Sequence, residues 1–566
     1  MEISKVDLSG YRNFKNVSVN FRSDSLLIGA NDVGKSNLLH ALRILLDKNL
    51  SEADIEPTET DFYTSKVASC NEIVITIYFK NVTEDAVLSV LKGAVSDEGE
   101  CIFQYNAHLS DLSYRLFIGH QIDQLEEVNS RFYLRYVNLN YMESQRDLEK
   151  YIAKEKRKLL KTSFASLSEQ QLEGDKELMD EISQDLLDLN EKVSQLVYVD
   201  QATSEVNTEL KKLSNQHLNY NVQLDTGAIQ VSDFVDRLKL GASTDGSSVT
   251  LGGDGRNNQI LLALWKAKST REHAVDHEVV FYVVEEPEAH LHPHQQGRMT
   301  NYLINELPGQ TIISTHSPRI AANFKPDSII RLLSKDNSTV AASGGCSDCI
   351  EQGFEDMSYR MSIIPAEAFF SSGVLLVEGP SEELLYHALA KSLDIDLDYL
   401  NLSILCVNGI SFKVYVKILD ALEIPWVLRT DNDVSKVPNK NEWQYAGMNR
   451  CLAIMGDDPE EHSDKEVIAK DTLENGLWQE VAEHVEQDDI FLARIDLETD
   501  LVEELGKKVL TALGKKTDES AIKHLQDKKA LHMRELLKDI SQDLKGISGG
   551  QLAKPLLALV ELVAID

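Results

Sequence analysis

Short apolar runs of strand length alternate with amphipathic stretches over most of this chain. Ser25-Leu26-Leu27-Ile28, Ile73-Val74-Ile75-Thr76-Ile77-Tyr78 and Val279-Val280-Phe281-Tyr282-Val283-Val284 are near-continuous apolar segments, the pattern of buried strands. Helical patterns follow the first and the last. Between Asn140 and Thr226 the pattern changes. Glycine is nearly absent there, Gly174 excepted, and no proline occurs between Pro57 and Pro287. Met179, Ile182, Leu186, Leu189, Val193 and Leu196 recur at spacings of three and four, and Val206, Leu210, Leu213 and Leu218 continue similar spacing. That is a helical apolar seam, shorter than three full heptads, and it needs a partner surface. The partner is either the helix's own domain or a second copy of the chain; the length of the helical block favours a dimerisation arm. After Ser343-Gly344-Gly345, short strands return at Val374-Leu375-Leu376-Val377 and Trp426-Val427-Leu428-Arg429. The expectation is an α/β chain. A first domain in two parts, 1–140 and 226–345, is split by a helical insertion at 141–225, and a second α/β domain with helical additions covers 346–566.

A length of 566 residues exceeds what one core organises, in keeping with several structural units. Apolar content of 42% and charged content of 26% are those of a globular protein. The formal net charge of −35 argues against nonspecific coating of nucleic acid, because bulk repulsion opposes phosphate. It does not exclude an enzyme acting on DNA. Such an enzyme needs only a local basic groove, and metal-binding carboxylates are themselves negative until the metal arrives. Lys154, Lys156, Arg157, Lys158 and Lys161 form one basic cluster; Lys523, Lys528 and Lys529 form another. Six scattered cysteines fit reduced thiols in a cytosol, and Cys346-Ser347-Asp348-Cys349 has no second pair to complete a structural zinc site. The first residues lack a signal-peptide pattern and no apolar run reaches membrane-spanning length, so a cytoplasmic location is expected.

Gly29-Ala30-Asn31-Asp32-Val33-Gly34-Lys35-Ser36 is a complete GxxxxGKS loop between a strand and a helix that begins at Asn37. Its glycines let backbone N–H groups turn toward phosphates, Lys35 neutralises the β/γ oxygens, and Ser36 can ligate Mg²⁺. The candidate ATP-binding residues are Asn31, Asp32, Gly34, Lys35, Ser36 and Asn37, joined by Glu285, Glu286 and His316 from later strands. Glu285 ends a buried strand, where a carboxylate can position Mg²⁺ through water, and Glu286 can polarise the attacking water. Thr311-Ile312-Ile313-Ser314-Thr315-His316-Ser317 predicts another strand, ending with His316 near the γ-phosphate.

Far downstream, strand Val374–Val377 ends at Glu378, and Pro380 to Glu383 opens a helix. Strand Trp426–Thr430 ends at Asp431 and Asp433, residues i and i+2 that share a side of an extended chain. Carboxylates at the carboxyl ends of parallel strands converge in the crevice where α/β folds bind ligands. Hard oxygen ligands of this kind select Mg²⁺ or Mn²⁺. Ile495-Asp496-Leu497-Glu498 can supply ligands for a second ion, and two ions about 4 Å apart can activate water and stabilise the leaving oxygen of a phosphodiester. Lys529 can neutralise charge building on the phosphate.

These motifs carry a family resemblance. Leu8-Ser9-Gly10-Tyr11-Arg12-Asn13-Phe14 and Glu288-Ala289-His290-Leu291-His292-Pro293 resemble the first strands and the D-loop of ATP-binding-cassette (ABC) ATPases of DNA repair and chromosome maintenance. The D-loop reading accounts for His290, His292 and His294 without a zinc site. Gly252-Gly253-Asp254-Gly255-Arg256 stands where that class has its Ser-Gly-Gly-Gln signature, and it lacks the serine. Glu285 replaces the usual aspartate. Both departures imply that ATP serves as a slow conformational signal. Glu378-Gly379-Pro380-Ser381-Glu382 with Thr430-Asp431-Asn432-Asp433 resembles the Toprim pattern of topoisomerases, primases and some nucleases. An ATPase followed by a Toprim domain, over essentially the whole chain, resembles the OLD (overcoming lysogenisation defect) family of nucleases, and within it the nuclease subunit of the Gabija anti-phage system. The resemblance implies that Glu378, Glu382, Asp431, Asp433, Asp496 and Glu498 are metal ligands. It makes Glu378, Asp431, Asp433 and Lys529 the catalytic set, with a pair of Mg²⁺ or Mn²⁺ ions there and ATP with Mg²⁺ at the ATPase site. It also implies a homo-oligomer and a separately encoded UvrD-type helicase partner.

The expected function is a metal-dependent endonuclease acting on duplex DNA in anti-phage defence, its activity set by nucleotide occupancy of the ATPase domain. The alternative is a non-catalytic ATP-gated DNA clamp or repair scaffold; it is disfavoured because every expected acidic ligand position is filled. A topoisomerase needs a nucleophilic tyrosine domain, which is not recognisable among the 18 tyrosines, and a primase usually carries a zinc module.

Overall fold

A computed structural model of the chain describes residues 1–66, 68–143, 148–213, 278–289, 291–347, 366–407 and 411–564, with shorter pieces at 231, 235, 241–244, 247–250, 259–260, 262–267 and 409. The signature-position segment 252–256, His290, Leu218 and Cys349 lie outside these residues.

Two six-stranded sheets build the N-terminal half. The first is antiparallel and runs in the order Phe14–Asn20, Glu2–Tyr11, Glu72–Lys80, Cys101–His108, Ser113–Gly119, Glu126–Val128. The apolar run Ile73–Tyr78 thus lies in a meander, not in an alternating strand–helix layout. Ile73, Ile75, Ile77 and Phe79 face the core, while Thr76 and Tyr78 on the other face are covered by neighbours, Tyr78 by the Lys5 ammonium 3.9 Å from its ring centre. The second sheet runs Ser338–Ala341, Ile329–Lys335, Asp24–Gly29, Thr311–Ser314, Val279–Glu285, Val137–Met142, and only the Ser338–Ala341 edge is antiparallel. The Asp24–Gly29 strand lies inside this sheet, so the phosphate loop that follows it is held from both sides.

Helices Leu148–Ala165, Glu169–Ser194 and Val197–Leu213 follow the Val137–Met142 strand. Leu186 is buried, whereas Ile182, Leu189 and Leu196 of the same predicted seam are exposed, as are Val197 and Tyr198. In the basic cluster, Lys154 donates to Asn49 Oδ1 at 2.9 Å and Lys158 to Glu155 Oε1 at 3.0 Å, so both charges are engaged within the chain.

The C-terminal half is built on a four-stranded parallel sheet in the order Leu402–Cys406, Gly373–Val377, Trp426–Thr430, Ile490–Leu492. Alternation along the strands sorts side chains between two cores. Leu375, Val377 and Val427 pack with helices Pro380–Ser392, Lys529–Ile540 and Lys554–Ala564. Val374, Leu376 and Leu428 pack with helices Phe412–Ala421, Ala446–Met455 and Leu477–Val485, in a core that continues to Leu26, Ile28 and Ile329 of the nucleotide-loop sheet. Polar links cross the same junction. From the strand beside Asp24–Gly29, Arg331 donates to the carbonyls of Leu422 at 2.9 Å, Glu423 at 2.7 Å and Ser371 at 3.3 Å. The Ser343 N–H donates to the Glu423 carboxylate at 3.0 Å. Among the described residues no helix is long and apolar enough to cross a membrane.

Candidate functional site

The nucleotide loop has its geometry set before any ligand binds. Gly34 takes φ 106°, a left-handed conformation that favours glycine, and the helix Lys35–Leu46 starts directly after it. The Lys35 ammonium folds over the loop and donates to the carbonyls of Gly29 at 3.0 Å and Ala30 at 2.8 Å. Burial pulls its pKa below the usual lysine value, with Glu286, Asp32, Glu285 and Glu288 pulling the other way. Asn31, Asp32 and Ser36 are exposed on the loop. Asn37 is engaged beneath it: Arg12 donates to its Oδ1 at 2.9 Å, and its amide donates to Asn13 Oδ1 at 2.7 Å. Asn13, which sequence reasoning did not select, also donates to the Val33 carbonyl at 2.7 Å and so braces the loop from below.

Glu285 ends the Val279–Glu285 strand, buried. Its Oε2 accepts from the Tyr141 hydroxyl at 2.6 Å, and its Oε1 is buried with no hydrogen-bond partner. A partnerless buried carboxylate oxygen beside the phosphate loop suits a Mg²⁺-bound water. Glu286 lies 3.6 Å from His316 Nε2, and the His316 pKa is lowered by burial and by Lys35. Glu288 accepts from the Thr315 hydroxyl at 2.7 Å and from the His316 N–H at 2.8 Å, which fixes the histidine over the site.

At the carboxyl ends of the parallel sheet the acidic segments meet. Glu378 follows strand Gly373–Val377, and its Oε1 accepts from the Asp431 N–H at 2.8 Å and from the Thr430 hydroxyl, which ties two strand ends together. Glu382, one turn into the next helix, is buried, and burial raises its pKa against the pull of Arg429. Asp431 is buried with its Oδ1 partnerless and 3.6 Å from Arg429. Burial lifts its pKa well above the carboxylate range; Arg429 opposes that, and Glu378, Glu382 and Asp496 add to it. Asn432 pins this loop to the third acidic segment: its N–H donates to the Ile495 carbonyl at 2.9 Å, and its amide to Thr472 and the Arg494 carbonyl, both at 3.0 Å. Glu498 is buried, its pKa raised by burial and by Asp496. Lys529 opens helix Lys529–Ile540; burial lowers its pKa, but Glu498, Asp431, Glu382 and Asp496 lift it above the usual value. The charges of carboxylates from all three segments thus bear on Lys529.

Asp496 has a second role. It caps helix Leu497–Leu505, its Oδ1 accepting from the Thr499 N–H at 2.8 Å, and its Oδ2 accepts from Gln526 at 2.7 Å. Two arginines missed by sequence reasoning complete the site. Arg429 is buried and donates to Asp500 at 3.0 Å. Arg450, from helix Ala446–Met455, donates to Glu378 Oε1 at 2.5 Å, to the Thr430 hydroxyl, and to Asp433 Oδ2 at 2.7 Å. With these contacts in place, no three His, Cys, Asp or Glu side chains among the described residues are gathered closely enough to hold one ion. The donor set nonetheless fits a hard divalent cation. It is carboxylate throughout, Asp431 Oδ1 is buried without a hydrogen bond, and the charges of Glu378 and Glu382 bear on Asp431.

The family described as "AAA ATPase domain" matches residues 1–133 and 118–321, and the family described as "Overcoming lysogenization defect protein-like, TOPRIM domain" matches residues 369–433. The chain is 25% identical to "Endonuclease GajA" of Bacillus cereus (strain VD045) over 573 aligned positions, covering 96% of each chain. It is 23% identical to "Old nuclease" of Escherichia phage P2, covering 73% of each. Among solved structures it is similar to the SMC head bound to the C-winged helix domain of ScpA, at 19% identity and a TM-score of 0.40, covering 60% of this chain and 97% of that one. An ATPase domain matched over more than half of the chain and followed by the Toprim match places this chain in the OLD family of ATPase–Toprim nucleases.

Proposed function

We propose that this chain is a divalent-metal-dependent endonuclease that cuts or nicks duplex DNA, that nucleotide bound in its ATPase domain sets the activity, and that it serves in anti-phage defence. One observation carries the reading: hydrogen bonds tie the Glu378, Asp431–Asp433 and Ile495–Asp496 segments together at the carboxyl ends of one parallel sheet, and the charges of Glu382, Asp431, Asp496 and Glu498 all bear on Lys529. A bound Mg²⁺ or Mn²⁺ would supply an activated water and stabilise the leaving oxygen. The chain's own part is to hold dry carboxylates whose charge is costly without a cation, and to place the Lys529 ammonium where phosphate charge builds.

At the other site Lys35 and Ser36 would hold the triphosphate, Glu285 and Glu286 its Mg²⁺ and water, and His316 the γ-phosphate side. The names of the relatives, endonuclease and nuclease, support DNA as substrate. The exposed apolar residues of the helices within 148–213 support self-association through the insertion, in the division 1–140, 141–225, 226–345 and 346–566. The likeness to the Gabija nuclease subunit supports a UvrD-like helicase subunit (GajB) as partner, and a cytoplasmic site of action follows from that role.

A plasmid-cleavage assay tests the core of this. Purified chain with Mg²⁺ or Mn²⁺ should convert supercoiled DNA to nicked or linear forms, and Glu378→Ala should not. Wild-type cleavage by Glu378→Ala would refute the site assignment. Lys35→Ala should abolish nucleotide binding and change the effect of ATP on cleavage; an unaltered ATP response would remove the coupling.

A further inference from the structure

The cations of the acidic crevice differ in how they are held. Arg429 is locked from behind: its side chain is 3% exposed, it is paired with Asp500, which is itself 3% exposed, and it approaches Asp431 from inside the fold. Arg450 lies nearer the surface, its side chain 9% exposed. Its guanidinium bridges Glu378 and Asp433, and the Asp433 side chain is 49% exposed, so water reaches this end. The backbone that carries Arg450 is fixed. The Gly447 N–H donates to the Asp433 carbonyl at 2.9 Å, and Gly447 sits directly on the Asp431–Asp433 backbone. Arg450 follows Gly447 by three residues, so it rises from the same face of the helix toward the same loop. A long side chain on a fixed base, ending at a solvent-open carboxylate, can leave by rotating its own torsions.

We propose that Arg450 is an exchangeable counter-cation: it holds Glu378 and Asp433 in the metal-free protein, and a divalent ion binds by displacing it. The same oxygens serve both. Glu378 Oε1 and Asp433 Oδ2 each accept from a separate nitrogen of the guanidinium fork. A Mg²⁺ held by both would need them at about 2.0–2.1 Å from one centre. Fork and ion exclude each other at these two oxygens. Loss of the fork in turn frees Asp433 Oδ2 and takes the one cation off Glu378 Oε1, which keeps its neutral donors, the Asp431 N–H and the Thr430 hydroxyl. The exchange sets a threshold: the crevice takes up metal only when the free ion outcompetes an arginine already in place. The displaced guanidinium then stands at the rim, where a phosphodiester enters. This inference rests on the reading of the crevice as a divalent-metal centre.

The test is Mn²⁺ binding to the full chain without nucleotide, followed by electron paramagnetic resonance, with Glu378→Ala marking the signal from this crevice. Arg450→Met keeps the aliphatic stem and removes the fork. It should lower the apparent Kd for Mn²⁺ by about tenfold or more, and Arg450→Lys, which offers a single point charge, should fall between. Thermal scans of metal-free Arg450→Met should show a lower transition than wild type, regained with Mn²⁺. A second measurement needs no variant. In the wild type, modification of Arg450 by phenylglyoxal, read by peptide mass spectrometry, should be slow without metal and several-fold faster with Mn²⁺. Equal or weaker Mn²⁺ affinity in Arg450→Met, or Arg450 modification unchanged or slowed by Mn²⁺, overturns the exchange while leaving the metal centre intact. Absence of a Glu378-dependent Mn²⁺ signal in both wild type and Arg450→Met overturns the metal centre and the exchange together.

Discussion

Replacing Gly447 with alanine reverses the usual sign of a helix substitution. In an open helix the change gains about 1 kcal/mol, because glycine loses more backbone freedom on folding. Here an added Cβ would lie 2.7 Å from the Asp433 nitrogen and 2.9 Å from the Asn432 Cα, and closer still to the Asp431 carbonyl oxygen. Ordinary contact begins at 3.4 Å, so clearing the Asp431 oxygen requires helix Ala446–Met455 to retreat by about 1 Å. The loop opposite cannot give way, because Asn432 is tied to Ile495, Thr472 and Arg494. Overpacking of this kind costs about 1–3 kcal/mol, and three backbone contacts under 3.0 Å put this site at the upper end, so after the helix gain the expected net loss is about 2 kcal/mol. In a metal-free thermal scan that corresponds to a fall of about 4–8 °C in the transition that reports the Toprim half. The retreat also draws the Arg450 fork away from Glu378 and Asp433, so Mn²⁺ titration should show altered affinity. Gly447→Ala that melts at or above the wild-type temperature, with unchanged Mn²⁺ binding, would refute the close packing of this helix on the acidic loop.

Other substitutions test other links. Arg331→Met removes three hydrogen bonds to the carbonyls of Leu422, Glu423 and Ser371, and should cost about 1–3 kcal/mol by thermal scan while nucleotide affinity stays at the wild-type value. The same variant should weaken the effect of ATP on plasmid cleavage; a full ATP response would show that the coupling runs elsewhere. His40, hydrogen-bonded with the Tyr11 hydroxyl at 2.8 Å, is held down to about 4 by burial, with Arg12 and Arg43 adding to the shift. An unfolded histidine titrates near 6.5, so between about pH 6.5 and 4 the unfolded chain binds a proton that the folded chain does not, and stability falls as pH falls through that window by up to about 3 kcal/mol. His40→Gln should flatten this acid slope in urea or thermal unfolding, and an unchanged slope would clear His40 of the effect.

What could be read from the chain depended on whether the signal was local. The phosphate loop, the strand ending at Glu378 and the strand ending at Asp431 are contiguous patterns, and each strand stops where its acid begins. The first sheet was less legible. A continuous apolar run such as Ile73–Tyr78 looks alike whether helices or neighbouring side chains cover its second face. The Asp496 segment read as a ligand cluster, and its local role as a helix cap was not drawn from Asp496 and Thr499, although the N-cap spacing was present. Arg429 did leave a trace: a charge inside the strand Trp426–Thr430 calls for a buried partner, which the structure supplies in Asp500. Arg450 left almost none. On a helix with Met448, Cys451 and Leu452 it looks like any solvated residue, and only its three-residue offset from Gly447 marks the face it shares with the acidic loop.

The apolar core beneath the phosphate loop, with Leu26 and Ile28, continues without interruption to Val374, Leu376 and Leu428 beneath the acidic crevice. The two halves therefore share one floor of side chains. Cutting the chain between them would bare matching apolar faces on both fragments. Recombination among relatives meets the same barrier: a nuclease half from another lineage must arrive with side chains that fit the host's floor, so exchange of whole chains is favoured over exchange of parts.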